Sequence, residues 1–147
     1  MTTLDTADVP HDEAKDAAPP QQSGILKLPV ELRLIIYELH FNPIAAKITT
    51  ASIKEIRHFT ALVYTNRQIF AETHTMLLGQ ENALMARFNK QRDYIYDEQI
   101  KHMREGVGDD MCAQSEWDSA RLSQKRTIFR RGMVSVEERA RKMGLRE

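Results

Sequence analysis

Apolar residues on two sides of one helix constrain this chain more than any other feature. From Pro29 to His40 a helix is predicted, because proline at the first helical position gives up only a hydrogen bond that would be unmade anyway. On a helical projection Leu28, Leu32, Ile35, Ile36 and Leu39 fall within one arc of about 100°. Val30, Leu34 and Tyr37 form a second stripe on the opposite side. Such a helix is either buried all round or lies between its own core and a partner. Asn42-Pro43 is expected to end it, since the residue before a proline is pushed out of the α region.

Apolar residues concentrate in 25–88. Residues 44–53 fit either a short strand or a loop, and a helix over Ser52–Tyr64 follows from the spacing of Ile53, Ile56, Phe59 and Val63. Thr65-Asn66-Arg67-Gln68 has the form of a capping box, with the Thr65 hydroxyl and Gln68 each satisfying an orphan N–H. Ile69, Phe70, Thr73, Met76 and Leu77 then share a face, and Gly79 is expected to supply a left-handed stop. A further helix over Asp93–Glu105 ends at Gly106-Val107-Gly108. Asp109–Arg131 holds helix formers without a clean apolar stripe, and Ser135-Val136-Glu137-Glu138 is a second capping box that opens a short helix ending at Gly144.

The resulting expectation is a mostly α fold. A domain of three to four helices spans 24–105, with a short strand or strand pair near 46–50 or 83–88. An acidic, disordered tail covers 1–23, and a basic, partly helical, loosely packed extension covers 106–147.

Charge follows the same division. The chain has 147 residues with 21 Lys+Arg against 21 Asp+Glu, so its formal net charge is zero. Residues 1–24 nevertheless carry a balance of −4, from Asp5, Asp8, Asp12, Glu13 and Asp16 against Lys15. That stretch is too poor in apolar residues to offset its ordering entropy. Arg121–Glu147 carries +6. Lys125-Arg126 and Arg130-Arg131 could meet phosphates, and Ser135–Leu145 looks like the first helix of a helix-turn-helix. A recognition helix is not found in the two residues after Leu145, so nucleic acid is not the expected partner.

The search for chemistry is mostly negative. No apolar run is long enough for a membrane span and no secretory signal is seen, so an intracellular protein is expected, cytoplasmic or nuclear. One cysteine, Cys112, excludes a disulfide framework and a cysteine-built zinc site, and with no basic neighbour within two positions it is expected to be an unreactive thiol. His11, His40, His58, His74 and His102 show no paired ligand spacing, so no metal is expected. Gly106-Val107-Gly108 lacks the third glycine of a dinucleotide loop, and no P-loop or serine elbow is present. Neither enzymatic activity nor a cofactor is expected.

Two segments carry a resemblance. Leu28-Pro29-Val30-Glu31-Leu32-Arg33-Leu34-Ile35-Ile36-Tyr37-Glu38-Leu39 is similar to the first helix of F-box-like domains, especially those of fungal proteins that open with leucine-proline-x-glutamate-leucine-arginine and continue to isoleucine-tyrosine. Ala61–Thr73 resembles the later arginine-glutamine-isoleucine helix of that pattern, at Arg67-Gln68-Ile69 with Glu72 following. The match covers about 24–88. The resemblance implies an adaptor that docks on a Skp-type protein of a cullin-RING ubiquitin ligase while another region holds a substrate protein. It places Leu28, Pro29, Glu31 and Leu32 at or near the adaptor contact. Arg33 and Glu72 are read as a structural ion pair between the two helices. The chain departs from the family in a wider separation over 44–58 and in the short, weakly patterned segment after residue 88, where members usually carry a longer body.

Overall fold

The computed structural model describes residues 24–106 and 108–145; the expected acidic tail lies outside them. A single 3-10 turn at Gly24–Lys27 leads into α1 (Val30–Ala46), followed by α2 (Ile53–Ala61), a second 3-10 turn at Leu62–Tyr64, α3 (Arg67–Glu105) and α4 (Asp109–Lys142). The fold is all-α, and no strand occurs among the described residues. Residues 46–50 are the end of α1 and a turn, and 83–88 lie inside α3, so both expected strand positions are helix or turn.

Local chemistry explains the starts. Ser52 caps α2 through a complete capping box: its Oγ accepts from Glu55 N at 3.2 Å, and its own N–H donates to Glu55 Oε2 at 2.7 Å. At α3 the cap is Asn66 rather than Thr65, with Asn66 Oδ1 accepting from Gln68 N at 2.7 Å. The Thr65 hydroxyl instead donates to the Leu62 carbonyl and so belongs to the preceding turn. Gly106 ends α3 in the left-handed region at φ 64°, where glycine alone is unstrained.

Two expected stops and one expected start lie inside helices. α1 runs through Pro43 to Ala46; the ring removes an N–H that would bond the Leu39 carbonyl, and Leu39 sits on the outer side, where water can take that role. Gly79 is inside α3, which merges the two helices expected over 67–105. Ser135 is inside α4, its hydroxyl donating back to the Arg131 carbonyl at 3.0 Å.

Packing overrides these local signals. At a rise of 1.5 Å per residue, α3 and α4 are about 58 and 51 Å long, and they run antiparallel as a hairpin closed at Gly106–Gly108. Arg139 lies on Phe70 and Phe129 on Phe88, which fixes the register. α4 buries Leu122, Lys125, Phe129, Met133, Val136 and Ala140, spaced by threes and fours as in a coiled-coil seam. The expected loosely packed extension is therefore part of the core. Four phenylalanines join all four helices in a row: Phe41 of α1, Phe59 of α2, Phe129 of α4 and Phe88 of α3, with centroids 5.4, 6.1 and 5.8 Å apart. Beyond Phe88 and before Leu122 the hairpin buries none of the described residues, so its tip projects from the core.

Gly79 gives a direct check on the uninterrupted helix. A Cβ there meets nothing within 4 Å, so Gly79→Ala should raise the unfolding free energy by about 0.5–1 kcal/mol. A helix that ended at a left-handed Gly79 would be destabilised by the same change, and urea denaturation separates the two outcomes.

Candidate docking face of the first helix

α1 turns one particular side inward. Arg33, Tyr37 and Phe41, four residues apart, are buried. Leu32, Ile35 and Leu39, from the broader apolar stripe, remain 48%, 52% and 69% exposed, and Ile36 is exposed with them. The side opposite the leucines thus closes the core, and the five-residue stripe faces outward, with only Leu28 half-buried.

This orientation is held by a charged network. The Arg33 guanidinium donates to both Glu72 oxygens, Nε to Oε2 at 3.0 Å and Nη2 to Oε1 at 2.6 Å. Glu72 also accepts from the Tyr37 hydroxyl at 3.1 Å and from Gln68 Nε2 at 3.1 Å. Arg33 Nη1 donates to the Leu28 carbonyl and, at 3.5 Å, to that of Leu26. One side chain therefore ties the entry turn, α1 and α3 together, and it fixes the backbone on which Leu28 and Pro29 sit. Pro29 occupies the cap position rather than the first helical one, and its carbonyl accepts from Arg33 N at 3.1 Å.

The electrostatics agree with a desolvated pair. The hydrogen bonds from Arg33 hold the Glu72 carboxyl below the ordinary carboxylate value, against the opposing effect of burial. Burial, assisted by the hydrogen bond to Glu72, pushes the Tyr37 phenol up to about 12. Arg33, at 8% exposed, is raised further by Glu72. A bidentate arginine–carboxylate geometry is the strong form of such a contact.

Of the residues the sequence singles out, Leu28, Pro29, Glu31 and Leu32 fall together at the start of α1, with Pro29, Glu31 and Leu32 exposed. Arg33 and Glu72 meet beneath them. Tyr37 and Gln68 were not singled out as members of the network. Their signal is spacing: Tyr37 lies one turn beyond Arg33 and Gln68 one turn before Glu72, so each shares its neighbour's helix face.

Other chemistry-bearing groups have structural surroundings. His74 is buried with Nδ1 3.0 Å from the Ala71 carbonyl and its ring stacked on Phe70. Arg139 places its guanidinium 4.7 Å from the Phe70 centroid and 5.1 Å from that of Tyr64, so part of the basic C-terminal charge serves packing. No group of three or more His, Cys, Asp or Glu that could hold a metal ion occurs among the described residues. No helix among them is long and apolar enough to cross a membrane. No protein-family model matches the chain, and neither a curated protein nor a solved structure matches it.

Removing Glu72 strands a guanidinium and a phenol. Glu72→Ala should cost about 3 kcal/mol of stability, whereas the exposed Glu38→Ala should stay within about 0.5 kcal/mol. Because Glu72 titrates lower folded than unfolded, its contribution is present above the ordinary value of 4.5 and is lost as pH falls through the lowered one. The gap between wild type and Glu72→Ala should therefore narrow on acidification. Equal melting temperatures at neutral pH would contradict this role.

Proposed function

We propose that this chain is a non-enzymatic interaction protein of F-box-like type, which docks through the outer face of α1 onto a Skp-type adaptor of a cullin-RING ubiquitin ligase and presents a further protein to it. The observation that carries the reading is the coincidence of the Leu28–Leu39 motif with an apolar helix face that the fold leaves in water. Leu32, Ile35 and Leu39 close no part of the core formed by the described residues. Exposed apolar side chains of this size on one helix face are what a protein partner covers.

Within this reading Leu28, Pro29, Glu31 and Leu32 lie at or near the contact, and Arg33 with Glu72 positions them from below. An apolar anchor at the centre of such an interface costs about 2 kcal/mol or more when truncated. The presented partner is a protein held elsewhere, and the projecting hairpin tip, with Tyr96, Met103, Met111 and Trp117 exposed, is the surface on which to look for it.

The test is size-exclusion chromatography of this protein mixed with a Skp-type adaptor, beside the Leu32→Asp variant. Leu32 is 48% exposed and is not part of the buried core, so Leu32→Asp should keep its circular dichroism and melting temperature while losing the complex. Absence of a wild-type complex at tens of micromolar, or a complex that Leu32→Asp leaves intact, would overturn the proposal.

A further inference from the structure

Lys125 is the one lysine among the described residues that the fold buries, at 6% exposed. It projects from α4 into a cleft of about 330 Å³ between the α1–α2 turn, α3 and α4. Its ammonium makes a single hydrogen bond, to the Thr49 carbonyl at 3.0 Å. An ammonium has three donors, and a charge removed from water needs a counter-charge. No carboxylate among the described residues pairs with it. Glu55 is near enough to act on Lys125 electrostatically, but it is engaged by Lys47 at 2.7 Å and by the Ser52 cap. Asp118, the one carboxylate lining the cleft, accepts from Gln114.

The neighbouring charges are of the same sign. Arg121, one turn before Lys125 on α4, lines the same cleft and opposes protonation of Lys125, adding to the effect of burial. A second cleft of about 400 Å³ adjoins the first, sharing Thr49, Gln91 and Tyr94, and adds Arg87 and Lys90. The two together bring four cations and one carboxylate around neutral polar groups: the hydroxyls of Thr49 and Tyr94 and the amide of Gln91. Two like charges gathered around a cavity, one of them buried and short of acceptors, are relieved by an anion.

We infer that this cleft is a binding site for a phosphate group, held by Lys125 and Arg121 with hydrogen bonds from the surrounding hydroxyl and amide groups. Its volume lies in the range of small-ligand sites. Tyr94, largely exposed at the junction of the two clefts, flanks the position of any group esterified to that phosphate. The site lies on a surface formed by the turn and the hairpin, apart from the outer face of α1, so it stands or falls independently of the docking proposal.

The probes are inorganic phosphate and adenosine monophosphate, each read by isothermal calorimetry and thermal shift against chloride at equal ionic strength. Wild type should bind with submillimolar affinity and melt higher with either probe. Lys125→Met keeps the volume of the buried stem, and replacing a buried ion by an apolar isostere is often neutral or stabilising, so this variant should stay folded without probe and lose the thermal shift. Arg121→Met, at an exposed position, should leave the unliganded melting temperature unchanged and weaken binding by about tenfold or more. Equal affinity for both probes assigns the site to the free anion. Tighter binding of the nucleotide, lost in Tyr94→Ala, assigns it to an organic phosphate. No binding by wild type, or a phosphate shift retained in both charge variants, would overturn the inference and leave Lys125 as a structural tie to the turn.

Discussion

A guanidinium and a carboxylate that leave water together must satisfy each other's hydrogen-bonding groups, and Arg33 and Glu72 do so across the contact between α1 and α3. Four donors converge on one carboxylate, and the remaining arm of the guanidinium holds the carbonyls of the entry turn. Hydrophobicity alone would turn the five-residue leucine and isoleucine stripe inward, since it is the larger apolar surface. The polar network and the two aromatic residues on the same side, Tyr37 and Phe41, reverse that choice. Directional bonds thus set an orientation that area would not.

The second constraint is the length of the hairpin. α1 and α2 are short, and the surface they bury is closed by helices that extend far beyond them. The row Phe41, Phe59, Phe129 and Phe88 shows how: α4 returns along α3 and places Phe129 between an α2 ring and an α3 ring. Gly132, one turn from that row, faces Thr60 of α2, whose side chain a Cβ at this position would meet at 3.4 Å, an ordinary contact. The segment that resembles an F-box-like pattern is therefore completed by residues more than forty positions later in the chain. The same return path brings Lys125 against the α1–α2 turn, with Arg121 lining the same cleft.

Much of this was legible in the residues. The all-α class, the start of α1 within one residue, and the glycine end of α3 follow from proline, capping and left-handed chemistry. The leucine-proline-x-glutamate-leucine-arginine motif also drew attention to the helix that carries the exposed face. Ser52-Ile53-Lys54-Glu55 has the capping-box spacing as well, which agrees with the helix expected from Ser52. What could not be read locally was settled by packing. Gly79 reads as a stop until Leu77 and Leu84, one heptad apart, are seen buried in the same core as α4. The α4 seam looked broken because Lys125 interrupts it, yet that residue is buried at 6% exposed. Which side of α1 faces inward was open in the sequence, and it follows neither apolar stripe: Val30 and Leu34 of the second stripe stay exposed and only its Tyr37 is buried, beside Arg33, whose partner Glu72 is thirty-nine positions away.

The orientation of α1 is the central claim, and thiol labelling tests it most directly. In a Cys112→Ser background, Leu39→Cys reports the outer face and Ala51→Cys, at a buried position, reports the core. The account predicts that Leu39→Cys reacts under native conditions at nearly the rate of an unstructured thiol, while Ala51→Cys is protected by about a hundredfold or more. Protection of Leu39→Cys comparable to that of Ala51→Cys would place the leucine stripe inside the protein and contradict the account.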